Sequence, residues 1–184
     1  MDQRDRFREL LRRYGDKAYN FAYRLTGNDA DARDLVQEAC VRAYEKIDRY
    51  DPSRPFDAWF LSVLRNMFVD GTRRAATRPA LSFDSAMPGG EAAFDEILAG
   101  PDPDPSLTAE RADEDALVQR ALDALPAHYR AAVVLADIEG LDYAAVAEVL
   151  GIPVGTVRSR LHQGRALLRR VLEKDSPEET HGRA

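Results

Sequence analysis

Apolar residues recur every three or four positions along most of this chain, the spacing that lines one face of an α-helix, and no strand-length run alternates convincingly. Phe7, Leu10, Leu11, Tyr14, Ala18, Phe21 and Leu25 form a first stripe. Gly27-Asn28-Asp29 breaks it with residues that favour turns and helix starts. A second stretch carries two adjacent rows, Leu35, Ala39, Ala43 and Ile47 beside Val36, Cys40 and Tyr44, which predicts a broad buried face. Asp51-Pro52-Ser53-Arg54-Pro55 ends that helix, because proline cannot continue a helix and constrains the residue before it. Phe56, Trp59, Phe60, Val63, Leu64, Met67 and Phe68 then mark a third helix running into Arg73, Arg74 and Arg78.

From Pro79 to Pro105 the periodicity dissolves into turn and linker chemistry, Pro88-Gly89-Gly90 and Pro101-Asp102-Pro103-Asp104-Pro105, with room for one short helix over 91–98. Beyond it, 107–125 and 126–138 read as two helices, and Pro126 suits a first helical position, where its missing N–H is not needed. Asp142 is placed to cap a helix through Leu150, Gly151-Ile152-Pro153 makes a tight turn, and 154–172 is a final helix before a tail expected to be disordered. The expected fold class is all-α: two small helical domains, 1–78 and 107–174, joined by a flexible acidic linker over 79–106, with a tail over 175–184.

The segment 142–170 has the organisation of a helix-turn-helix. Val146, Leu150, Ile152, Val157 and Leu161 supply apolar contacts across the turn, Ala147 is small where the second helix crosses, and Gly151 permits the reversal. The second helix carries Arg158, Ser159, Arg160, His162, Gln163 and Arg165 in the half that a recognition helix inserts into the major groove. Arginine can pair with guanine and glutamine with adenine. A basic surface helix in an ordinary bundle is the plain alternative.

The formal net charge of −6 speaks weakly against a nucleic-acid partner, but the distribution of that charge points the other way. Residues 79–116 hold ten acids and one base, whereas 151–174 hold six bases and one acid and 1–78 hold sixteen bases and thirteen acids. Two segments with basic patches therefore flank an acidic stretch. With 45% hydrophobic and 32% charged residues the composition is that of an ordinary globular protein. No apolar run approaches the roughly 20 residues that cross a bilayer. Met1-Asp2-Gln3-Arg4-Asp5-Arg6 lacks the design of a secretory signal, and the single cysteine, Cys40, forbids an internal disulfide, so a cytoplasmic location is expected.

With these residues in view, the chain resembles a known family. Gly151-Ile152-Pro153-Val154-Gly155-Thr156-Val157-Arg158-Ser159-Arg160-Leu161-His162 closely resembles the end of region four of extracytoplasmic-function sigma factors, and Ala124-Leu125-Pro126-Ala127-His128-Tyr129-Arg130 resembles the opening of the same domain. Asp31-Ala32-Arg33-Asp34-Leu35-Val36-Gln37-Glu38-Ala39 is similar to the polymerase-binding helix of region two. Phe56-Asp57-Ala58-Trp59-Phe60, followed by Arg65, Asn66 and Asp70, is similar to its promoter-melting part. The four matches occur in family order and cover nearly the whole chain apart from linker and tail.

The resemblance implies a sigma factor rather than an enzyme, with core RNA polymerase, promoter DNA and an anti-sigma factor as partners. No cofactor, metal, small-molecule substrate or membrane insertion is implied. It places Asp34, Gln37, Glu38 and Arg42 against polymerase, where polar residues beside an apolar stripe fix register. Arg54, Phe56, Arg65, Asn66, Asp70, Arg73 and Arg74 would face the minus-ten element, the loop 54–56 capturing a flipped base and the arginines gripping phosphates. Thr156, Arg158, Ser159, Arg160, His162, Gln163 and Arg165 would face the minus-thirty-five element. Gln163 stands where the family often has arginine, and Ala145 where an acid is common. Two rivals remain at this level. A stand-alone DNA-binding regulator would dimerise over two half-sites, and no heptad zipper is visible. A helical enzyme would need a site, yet His128, His162 and His181 are scattered and there is no metalloprotease, phosphate-loop or triad signature.

Overall fold

The computed structural model describes residues 3–75 and 108–175, with side chains for 5–72 and 114–174. The expected linker, the short helix over 91–98, Arg78 and the tail beyond residue 175 lie outside the described residues, as do the side chains of Arg73 and Arg74. All described elements are helical.

Helix α1 spans Gln3–Thr26, α2 spans Asp29–Lys46 and α3 spans Phe56–Ala75. The break between α1 and α2 falls where the polar triplet predicts it. Gly27 takes φ +84°, a left-handed conformation that ends α1 at little cost for glycine, and its N–H donates to the Tyr23 carbonyl at 2.8 Å. Asn28 then caps α2, its side chain accepting from the Asp31 N–H at 2.8 Å. The buried side of α2 is Ala32, Val36, Ala39, Cys40 and Ala43. These small residues let α2 lie close to α1, whose Ala18, Phe21, Ala22 and Leu25 are equally buried. A 3₁₀ turn, Ile47–Arg49, and the loop after it lead into α3. The loop is tied by Asp51, which accepts from the Ser53 N–H at 2.9 Å, and by the Tyr50 hydroxyl, which donates to the Arg54 carbonyl at 2.6 Å.

The second unit contains α4 (Thr108–Asp123), α5 (Ala127–Val133), α6 (Tyr143–Leu150) and α7 (Val154–Asp175). Pro126 sits one position earlier than expected, as the N-cap of α5, and its carbonyl accepts from Tyr129 and Arg130. The expected single helix over 126–138 is also not uniform: Val134–Ile138 widens into a π-helical turn, with the Glu139 N–H reaching the Val134 carbonyl at 2.9 Å. Ala131 through Leu135 are buried without interruption, so this segment is enclosed on all sides and is not an amphipathic surface helix. The capping expectations for α6 are met. Asp142 accepts from the Ala145 N–H at 2.8 Å, and Gly151 closes the helix at φ +61° while the Ile152 N–H donates to the Ala147 carbonyl at 3.1 Å.

The two units pack into one continuous core, an arrangement that periodicity alone does not reveal. α3 lies against α6, and α1 against α4 and α5. Between them runs a polar seam. Arg24 donates to Asp115 at 2.8 Å and to Gln119 at 3.3 Å, and Gln119 is itself buried. Arg130 reaches the Leu25 carbonyl at 2.5 Å, so a cation from the second unit caps the C-terminal end of α1, where the helix dipole favours positive charge.

Candidate nucleic-acid and polymerase interface

The geometry of the second unit starts from the helix-turn-helix. Val146 and Leu150 on α6 and Val157 and Leu161 on α7 are almost completely removed from water, which fixes α7 against α6 and turns its opposite face outward. That outer face carries Arg158, Ser159, His162, Arg165 and Arg169, all exposed. Tyr143 at the start of α6 joins Arg158, His162, Arg165 and Arg169 around an open groove of about 240 Å³. The groove is concave, cationic and rimmed by one aromatic ring, which suits the edge of a polyanion. Neither Arg169 nor Tyr143 was among the expected contacts. Arg169 falls four residues after Arg165, so helical spacing could have found it; Tyr143 comes from another helix and could not be found that way.

Two expected contacts on α7, Thr156 and Arg160, are half-buried, and a third, Arg165, is already engaged on the outer face. Arg165 is held by Asp137 of the π-helical turn through two hydrogen bonds, 3.0 Å to Oδ2 and 2.6 Å to Oδ1. The hydrogen bond to Asp137 and a second to Tyr143 raise its pKa, so it is a clamp between α7 and the preceding elements rather than an unengaged cation. Arg160 is half-buried on the flank toward α5, and its charge, after burial, helps depress the pKa of His128. Thr156 is half-buried and accepts, through its carbonyl, from the Ser159 hydroxyl at 3.0 Å. Gln163 is exposed, and its Oε1 accepts a hydrogen bond from the Tyr129 hydroxyl of α5.

On α3, Asn66 and Asp70 are exposed one turn apart, as the spacing predicts. Arg65 is half-buried and donates to the Asn66 Oδ1 at 2.9 Å, which leaves the Asn66 amide nitrogen to offer outward. Arg54 pairs with Glu148 of α6 and so lies on the seam between the units. Phe56 corrects its expectation. Its ring is 3% exposed and packs on Phe7, Tyr14, Tyr50, Trp59 and Phe60 with centroids 5.5–6.3 Å apart, so it anchors the loop and has no face for a base. On α2, Asp34, Glu38 and Arg42 are exposed at four-residue spacing with Gln37 half-buried beside them, opposite the core side. Among the described residues Arg42 makes a loose ion pair, 3.7 Å to Glu45, and the polar face it shares with Asp34 and Glu38 is not covered by the second unit.

A helical two-unit protein with a helix-turn-helix and a cationic outer face on its second helix has the architecture of a DNA-binding protein. Comparison with known proteins is more specific. Residues 10–78 match the Sigma-70 region 2 family and residues 115–168 match the Sigma-70, region 4 family. The chain is 42% identical over 172 residues to the ECF RNA polymerase sigma factor SigE of Mycolicibacterium smegmatis, covering 92% of this chain and 63% of that protein. It is 34% identical over 169 residues to the ECF RNA polymerase sigma factor SigW of Bacillus subtilis, covering 91% of this chain and 89% of that one. Its fold matches CnrH, solved in complex with the cytosolic domain of CnrY, with a TM-score of 0.63, 26% identity and coverage of 95% and 92%. It also matches the sigma factor RpoE of Bartonella quintana, solved with the anti-sigma factor NepR, with a TM-score of 0.58, 24% identity and coverage of 92% and 93%. The chain belongs to the extracytoplasmic-function sigma factor family.

Proposed function

We propose that this chain binds core RNA polymerase and directs it to promoters through two DNA-reading surfaces, as a cytoplasmic initiation factor with no catalytic site of its own. Residues 1–78 form the unit that docks on polymerase and opens the minus-ten element, 107–174 the unit that reads the minus-thirty-five element, and 79–106 the connection. Asp34, Gln37, Glu38 and Arg42 are the polymerase contacts, and their exposure on one face of α2 supports that role. Asn66 and Asp70 face the melted strand, with Arg54, Arg65, Arg73 and Arg74 supplying phosphate contacts around them. Arg158, Ser159, His162 and Gln163 read the upstream element, while Thr156, Arg160 and Arg165 sustain the recognition helix from its flanks. The Bartonella quintana sigma factor was solved with the anti-sigma factor NepR and CnrH with the cytosolic domain of CnrY, and an anti-sigma factor is the corresponding partner in this reading.

The observation that carries this reading is the cationic outer face of α7, set behind a locked helix-turn-helix and lining an open groove. The test is transcription in vitro with the purified chain and core polymerase from its host, on a pool of genomic promoter fragments, against core alone. Specific initiated transcripts establish the activity and reveal both elements. Folded protein that yields no transcripts and does not co-elute with core sinks it in favour of a stand-alone DNA-binding regulator.

A further inference from the structure

One contact in the recognition unit bears on which base the chain prefers. Gln163 is an exposed residue of α7, and an unrestrained glutamine side chain reads adenine by laying its carbonyl oxygen and amide nitrogen side by side along the base's N6/N7 edge. Here that edge is not available. The Tyr129 hydroxyl of α5 donates to Gln163 Oε1, which turns the carbonyl back toward α5 and away from the groove. A phenol is a much better donor than acceptor, so the oxygen rather than the nitrogen of the amide is the group that settles against it.

The surroundings hold the pair in place. Gly164, the next residue of α7, lies so close to α5 that a Cβ there would sit 2.8 Å from Val133 Cγ2 and 3.4 Å from Tyr129 Cβ. The missing side chain is what lets the two helices approach until the Tyr129 hydroxyl reaches across. The neighbouring His128 ring packs on the Tyr129 ring with centroids 4.0 Å apart. Tyr129 itself is half-buried and stays on the flank of α7, outside the groove lined by Arg158 and His162.

We infer that Tyr129 is a specificity-determining positioning residue: by drawing the carbonyl of Gln163 toward α5 it leaves the Nε2 donor as the outward-facing end of the amide, which selects guanine over adenine at one base pair of the upstream element. Guanine meets an Nε2 hydrogen with an acceptor, O6 or N7, at either position along its edge. Adenine shows one acceptor and one donor, and its N6 hydrogens meet no acceptor when Oε1 is held elsewhere. The inference rests on α7 being the reader of the upstream element.

The experiment uses the full chain with core polymerase on a promoter pool randomised across the upstream element, reading base preference at each pair for wild type, Tyr129→Phe, Gln163→Ala, the double variant and Arg158→Ala. Tyr129→Phe keeps the ring on His128 and the Cβ beside Gly164 and removes only the hydroxyl. Wild type should favour guanine over adenine by about tenfold at one pair, within the range for a good amide–base contact. Tyr129→Phe should bring that ratio to about threefold or less at the same pair, Gln163→Ala should erase it, and the double variant should match Gln163→Ala. An unchanged ratio in Tyr129→Phe, with the preference lost in Gln163→Ala, overturns the inference and leaves the recognition-helix reading intact. So does Gln163→Ala behaving as wild type while Arg158→Ala alters one pair. If no substitution on α7 alters any pair, the reading of α7 falls and the inference with it.

Discussion

At the scale of single residues, burial and pairing decide which ionisable groups can act. Cys40 is 2% exposed within the α2 core face, and burial pushes its thiol up to about 12. A thiol is inert until it ionises and meets a reagent, so Cys40 fills the core and does not sense oxidants. A water-soluble thiol reagent should therefore modify the folded protein only as fast as it unfolds; rapid labelling under native conditions would contradict this packing. Asp57 shows the opposite balance. Burial raises its pKa, but the hydrogen bond and charge of Lys17, 2.8 Å away, together with the backbone N–H groups of Ala58 and Asp57, outweigh that and hold it below the ordinary aspartate value. A carboxylate depressed in the folded state stabilises above its unfolded pKa and loses that contribution as the pH falls through its folded one. Asp57→Asn should cost about 1 kcal/mol at neutral pH, and the gap from wild type should close in acid, measured by urea titration at several pH values. A gap that persists unchanged in strong acid would locate the effect in packing instead. Both side chains sit on helix faces the sequence reveals. Cys40 falls in an apolar row and is legible as core, whereas Lys17 and Asp57 are forty residues apart and nothing local announces their pairing.

At the scale of elements, what is local in the chain is legible and what depends on a second element is not. The start of α2 at Asn28, the cap at Asp142 and the reversal at Gly151 each follow from residue chemistry that acts within four positions. The π-helical turn at Val134–Ile138 does not follow from any such local signal. Phe56 misleads for a related reason: its motif resembles a DNA-facing loop, but only the surrounding rings show that the side chain points into the core. Arg165 is the consequential case. On a helical projection it shares the outer face with Arg158, yet Asp137 holds it through two charge-assisted bonds. Arg158→Ala should then weaken promoter use selectively, by about 1–3 kcal/mol at one base pair. Arg165→Met should instead weaken use of all upstream sequences alike and lower the thermal midpoint of the chain, because it loosens the seat of α7. A sequence-selective loss in Arg165→Met with unchanged stability would return Arg165 to the readers.

At the scale of the whole molecule, distance decides what the packed arrangement can do. Two promoter elements about 25 base pairs apart are separated by roughly 85 Å of B-form duplex at 3.4 Å per pair. A compact chain of this length has a radius of gyration near 16 Å and is about 40 Å across, so the packed units cannot touch both elements together. The 32 residues between α3 and α4 could span at most roughly 105 Å, enough once the units part. The seam that must open joins an apolar core shared by both units and adds polar contacts to it: Arg24 with Asp115 and Gln119, Arg130 on the Leu25 carbonyl, and Arg54 with Glu148. The polar contacts exchange for water at small net cost, so the cost of opening lies in the apolar surface the units share, and polymerase and promoter contacts must offset it. Gly27 adds a close approach, since a Cβ there would sit 2.8 Å from the Asp123 carboxylate. Arg24 is the residue to test, because its guanidinium bonds to Asp115 and Gln119, both in the second unit. Arg24→Glu sets a carboxylate against Asp115 and should enlarge the radius of gyration of the free chain in X-ray scattering, while the helical content stays constant. Adding Asp115→Arg should restore the compact value by recreating the pair in reverse. A wild-type chain that is already extended, or a double variant no more compact than Arg24→Glu alone, would show that this seam does not hold the units together.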